Sequence, residues 1–158
     1  MVERQLQGND CGRAALATVV AYYSRRVDAS RLARAVPLNR RGTDLLALVC
    51  GARSLGLAAV GLRGPYESMA DLPLPLIAHL GGWLGTGHFV VVHCWSPSAV
   101  LIGDPAVGVR RLTRRAFVRS WTGYVLVVAQ PPDSKNGMAA YAGAARSASS
   151  TATPSSPL

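Results

Sequence analysis

Between Cys11 and Tyr23 the chain reads Cys-Gly-Arg-Ala-Ala-Leu-Ala-Thr-Val-Val-Ala-Tyr-Tyr, with apolar residues on every side of a helical wheel. A helix of that kind cannot lie on a surface. It has to be surrounded, so the rest of the chain must supply the layers that cover it. The run is too short to cross a bilayer, which takes about 18–20 apolar residues, and Phe89–Val92 is shorter still. A buried central helix in a soluble domain is the reading that remains, with Asn9 or Asp10 capping its start.

The covering material is legible downstream. Helices are expected over Ala29–Ala35 after an Asp28 cap, and over Asp44–Leu55 between a Thr43 cap and a Gly56 stop. After Gly56 the pattern changes to short β-type runs set off by glycine and proline. They are Ala58–Leu62, Leu76–His79, His88–Trp95, Ala99–Ile102, Val109–Leu112 and Tyr124–Val128, with a short helix over Thr113–Trp121. Helices first and an antiparallel sheet second make an α+β domain. With 158 residues, 49% hydrophobic and 16% charged, one core of ordinary size is available. The domain is expected to occupy residues 1–130. From 131 to 158 the chain is Pro, Ser, Ala, Thr and Gly with little to bury, and reads as a disordered tail or a linker.

Charge and cysteine usage exclude several function classes. The formal net charge of +9 is almost all arginine, scattered in pairs such as Arg25-Arg26 and Arg110-Arg111, without aromatic interleaving or a nucleic-acid motif. A solvated basic surface is expected, and no nucleic-acid partner. Cys11, Cys50 and Cys94 are odd in number and lack metal-ligand spacing, so neither a disulfide framework nor a zinc site is indicated. No cofactor is implied. The polar start Met-Val-Glu-Arg-Gln lacks a secretory signal core, and a reduced, cytoplasmic setting follows. Cys50 and Cys94 stand in apolar runs and are expected to be core packing.

Cys11 is different, because it opens the central helix. Free N–H groups and the helix dipole favour a thiolate there, and Gly12 leaves room for a substrate carbonyl. A small cysteine packing at a helix start fits the same position equally. A thiolate nucleophile needs a histidine, and that histidine an orienting group. His88 opens the strongest strand behind the flexible Gly85-Thr86-Gly87; His79 closes a short strand, and His93 points to the opposite sheet face. Asp104 ends an apolar strand and is held by Pro105, although an Asp-Pro turn is also a common use of aspartate. Gln5 is close enough in sequence to place an amide beside the thiolate in an oxyanion hole, or it is a surface glutamine. As one set, in the order Gln5, Cys11, His88, Asp104 across helices and then strands, the four match the papain-type arrangement.

Over about residues 3–129 the sequence resembles the bacteriocin-processing, double-glycine leader peptidases, found often as the N-terminal domain of peptide-exporting ABC transporters. The resemblance rests chiefly on Gln5 to Leu16, which contains Asp10-Cys11-Gly12, and on Tyr22-Tyr23. It continues through Gly42-Thr43, Leu55-Gly56-Leu57, Leu74-Pro75-Leu76-Ile77-Ala78-His79, His88-Phe89-Val90-Val91, Asp104-Pro105-Ala106-Val107-Gly108, Phe117 and Trp121-Thr122-Gly123. It implies a papain-like cysteine peptidase with Cys11 as nucleophile, His88 as base and then acid, Asp104 as its orienter and Gln5 in the oxyanion hole. The implied substrate is a ribosomally made precursor peptide, cut after the Gly-Gly or Gly-Ala that ends an amphipathic leader helix, and the implied partner is a peptide-exporting ABC transporter. Transporter members carry membrane helices and a P-loop that this sequence lacks, so a stand-alone peptidase and a catalytic fragment both fit. The alternative within the resemblance is a leader-binding module that docks precursors for export with little or no cleavage.

Overall fold

The computed structural model describes residues 2–4, 10–23, 27–39, 42–82 and 87–131. Helix α1 (Cys11–Tyr22) is followed by α2 (Ala29–Ala35) and α3 (Leu45–Ser54). Strand β1 (Ala58–Arg63), a 3-10 helix (Tyr66–Asp71), β2 (Leu76–Leu80), β3 (His88–Trp95), β4 (Ala99–Asp104), β5 (Gly108–Thr113), α4 (Arg114–Ser120) and β6 (Trp121–Ala129) complete the order. All six strands form one antiparallel sheet in the order β1-β6-β2-β3-β4-β5. This is the expected α+β layout, helices first and strands after.

The central strands β2, β3 and β6 are buried on both faces, and their alternation sorts side chains cleanly. Ile77, Phe89, Val91, Leu126 and Val128 point to α1, α2 and α3 and close a core with Leu16, Val19, Leu32 and Leu48. Their neighbours Leu76, Ala78, Val90, Val92, Val125 and Val127 point the other way and pack with Tyr66, Met69 and Phe117. The second face is covered by the 3-10 helix and α4. The sequence pattern shows the short α4, but not the 3-10 helix, because two tight turns are too few to establish an apolar period of their own.

Helix ends follow local chemistry. Asp28 caps α2 by accepting from the Arg31 N–H, and Thr113 caps α4 by accepting from the Ala116 N–H. Asp44, rather than Thr43, caps α3, accepting from Ala47 N–H at 2.7 Å. Gly56, at φ 81°, ends α3 with the Leu57 N–H on the Ala52 carbonyl and the Gly56 N–H on that of Arg53, the double closure that a left-handed glycine permits. Helix α1 has no side-chain cap from Asp10. It is tied instead by Arg13, whose Nε and Nη2 donate to the Val36 carbonyl at 3.1 and 2.7 Å. Inside it, the buried Thr18 hydroxyl donates to the Ala14 carbonyl and accepts from Glu3 N–H.

Cys50 and Cys94 are both exposed, which corrects their assignment to the core. On α3 the inward stripe is taken by Leu48, Val49 and Ala52, so Leu46 and Cys50, four apart, turn outward together. On β3 a bulge between Val92 and Cys94 resets the alternation just before Cys94.

Candidate active site

Three elements converge where β3 begins. Cys11 is the first residue of α1 and belongs to the helix-side core. Asp104 ends β4 on the face it shares with Ile102, and His88, the first residue of β3, bridges them at the rim. The approach of α1 is close because of Gly12. A Cβ there would lie 2.4 Å from Thr43 Cγ2 and 3.0 Å from the Phe89 ring. Gly12 therefore makes room for the protein's own Thr43 and Phe89. Its effect on the site is to seat Cys11 against the start of β3.

The contacts form a chain. His88 Nε2–H donates to Asp104 Oδ1 at 2.8 Å, which leaves Nδ1 for the Cys11 sulfur, the other hydrogen-bond partner of the ring. Asp104 is nearly enclosed, with its side chain 4% exposed. Oδ1 also accepts from Ala106 N–H at 2.9 Å, and Oδ2 accepts from Arg110 Nη2 at 3.0 Å. His88 keeps 28% of its side chain exposed, so the site opens to solvent on the histidine side.

The electrostatics favour a thiolate–imidazolium pair. Burial pushes the Cys11 thiol up, but the hydrogen bond from His88, the N–H groups of Phe89 and Gly12, and the imidazolium charge together bring it below the ordinary cysteine range. His88 is raised, first by its hydrogen bond to Cys11 and then, against burial, by the hydrogen bond and charge of Asp104. Asp104 is raised by burial, yet its bonds to His88 and Ala106 and the charges of His88 and Arg110 leave it lowered and anionic. Such a set can deliver a sulfur nucleophile and a proton to one carbonyl centre.

The other histidines are not in this chain. His79 Nδ1–H donates to Thr122 Oγ1, whose own hydrogen goes to the His79 carbonyl, and its Nε2 abuts Gly87. Burial first, and the charge of His88 second, hold His79 low and hence neutral. His93 sits under Gly103, on the face away from Asp104. Of the four residues expected here, Cys11, His88 and Asp104 are brought together; Gln5 lies outside the described residues. Among the described residues no group of three His, Cys, Asp or Glu is arranged to hold a metal ion. Nor is any helix there long and apolar enough to cross a membrane.

Arg110 was missed in the sequence. The signal lies in the turn Asp104-Pro105-Ala106-Val107-Gly108: a hairpin closed there pairs Asp104 with Gly108, which puts Arg110 on the diagonal.

Comparison with known proteins decides the family. A model of the peptidase C39 family matches residues 1–133. The chain belongs to that family. This C39 chain is 31% identical over 135 residues to the mesentericin Y105 transport/processing ATP-binding protein MesD of Leuconostoc mesenteroides, which covers 83% of the chain but only 19% of that protein. In three dimensions it resembles a double glycine motif protease from an AMS/PCAT transporter, solved with a leader peptide. The TM-score is 0.76 at 31% identity, covering 83% of this chain and 91% of that one. The peptidase domain of Streptococcus ComA, a bifunctional ABC transporter, gives 0.77 at 28% identity, over 82% of this chain and 98% of that one. The C39 fold is papain-like, and the helix-then-sheet order conforms to it.

Proposed function

We propose that the chain is a cysteine endopeptidase that removes the leader from ribosomally made precursor peptides by cutting after a double glycine. The observation that carries the reading is the contact chain Cys11–His88–Asp104, in which one end is a thiol with a lowered pKa and the other a nearly enclosed carboxylate. Membership of the C39 family and the likeness to a double glycine motif protease support the substrate class.

This reading implies acyl transfer in two stages. The Cys11 thiolate adds to the carbonyl carbon of the second glycine, and its electrons pass to the oxygen. The Cys11 backbone N–H and the Gln5 amide are the proposed donors to that oxyanion. When the C–N bond breaks, the proton on His88 Nδ1 goes to the leaving amine of the mature peptide, and the leader stays as a thioester on Cys11. Water, giving its proton to the now neutral His88, hydrolyses the thioester and restores the pair. Asp104 keeps the imidazole in the tautomer that presents Nδ1 to sulfur throughout. We place this chemistry in the cytoplasm, with a peptide-exporting ABC transporter as the partner that receives the product.

The test is mass spectrometry of a precursor with a Gly-Gly leader, incubated under reducing conditions with the protein and with Cys11→Ala. The expected result is a cut directly after the second glycine, absent in the variant. Intact precursor that co-purifies with both proteins would replace this reading by the leader-binding module.

A further inference from the structure

We propose that Arg110 is a positioning residue of the peptidase site, holding from the neighbouring strand the carboxylate that orients His88. The proposal rests on the reading of Cys11, His88 and Asp104 as the reacting set. It concerns a residue that touches neither the thiol nor the imidazole among the contacts described.

The carboxylate has two oxygens and, among the described residues, three protein donors. Oδ1 takes His88 Nε2–H at 2.8 Å and Ala106 N–H at 2.9 Å, and Oδ2 takes Arg110 Nη2–H at 3.0 Å. Without Arg110, Oδ1 would keep the His88 and Ala106 donors, but the carboxylate would be held at one oxygen in place of two. Arg110 anchors the second oxygen, so that the plane of the group, and with it the direction in which Oδ1 faces the imidazole, is held from both ends. A nearly enclosed oxygen would also lose the donor that the described residues give it.

Backbone geometry explains why the arginine reaches. In the β4–β5 pairing Asp104 stands opposite Gly108 and Ile102 opposite Arg110, so Arg110 is diagonal to Asp104 on the same face. Gly108, at φ +99°, supplies the left-handed backbone that closes this hairpin and sets the register. The guanidinium remains about half exposed, at 48%, while its partner is at 4%. That asymmetry suits a clamp applied from the sheet edge: β5 is an outer strand, so Arg110 can be replaced without opening the core.

The experiment is a double-mutant cycle over Arg110→Gln and Asp104→Asn, with Arg110→Lys as the rescue. It has two readouts, kcat and KM on a Gly-Gly precursor, and the rate of Cys11 alkylation by iodoacetamide near pH 6 with Cys50 and Cys94 replaced by serine. Arg110→Gln should lower kcat by about 10-fold with KM little changed, the scale set by losing one charged hydrogen bond. Alkylation should slow in parallel. In the Asp104→Asn background Arg110→Gln should do nothing further, and Arg110→Lys should recover most of the loss, since a single nitrogen makes the contact. Unchanged kcat and alkylation in Arg110→Gln, or an equal further loss when Asp104 is already asparagine, would overturn the proposal. If the parent cuts no precursor yet the alkylation cycle still shows coupling, the positioning role stands and the peptidase reading fails.

Discussion

A glycine next to His88 illustrates how tightly single residues constrain this site. A Cβ at Gly87 would lie 2.0 Å from His79 Nε2, and His79 cannot retreat, because Nδ1 is engaged by Thr122 and the ring packs on Phe89 with centroids 4.9 Å apart. Gly87→Ala must therefore displace the first residues of β3, including His88. Cleavage should fall at least 10-fold for a misplacement on the order of 1 Å, while far-UV circular dichroism stays unchanged. At Asp104 the expected change is in pH dependence. A thiolate–imidazolium mechanism gives a bell-shaped kcat/KM, its lower limb set by Cys11 losing a proton and its upper limb by His88 losing one. Asp104 contributes to raising His88, so Asp104→Asn should bring the upper limb to lower pH and leave the lower limb nearly in place. An unmoved upper limb in the pH–rate profile would count against that assignment. Cys11, His88 and Asp104 were legible because each sits at an element end that glycine, proline or a strand boundary marks. Arg110 was not, because its contact with Asp104 can be foreseen only once hairpin register is known. The exposed Cys50 shows the opposite error, an apolar run read without asking which stripe of the helix the sheet can take.

At the scale of elements, the caps fix where α3 begins and how it faces the sheet. Asp44→Ala should lower stability by about 1 kcal/mol, measured as a shift in urea midpoint with an unchanged slope. Thr43, one residue earlier, was the cap that sequence alone suggested. Both residues are good caps, and which one the chain uses depends on Thr43 being drawn against Gly12, where its methyl group packs. Strand positions were read with fewer errors than helix caps. Central strands β2, β3 and β6 are buried on both faces and need long apolar runs, which periodicity detects well. β6 nonetheless starts at Trp121, earlier than the apolar run suggests, because its first residues are mixed in character and pair through the backbone.

For the molecule as a whole, the two cores meet through the sheet, so damage on the helix side should be felt throughout. Leu16 is fully buried in the centre of α1. Leu16→Ala should cost about 2–5 kcal/mol and lower the thermal midpoint in a single cooperative transition. From residue 131 on, the sequence offers almost no large apolar side chains to bury. We accordingly propose residues 1–130 as the catalytic unit, and a chain ended at Pro131 should match the full chain in thermal midpoint and cleavage rate. The central claim is that the fold turns Cys11 into a nucleophile through His88. It is tested most directly by the pH dependence of Cys11 alkylation, in protein with Cys50 and Cys94 replaced by serine, with and without His88→Ala. A midpoint well below the ordinary thiol value of about 8.5 that climbs when His88 is removed is what the account predicts. A midpoint at or above that value in the parent, or one indifferent to His88, would contradict it.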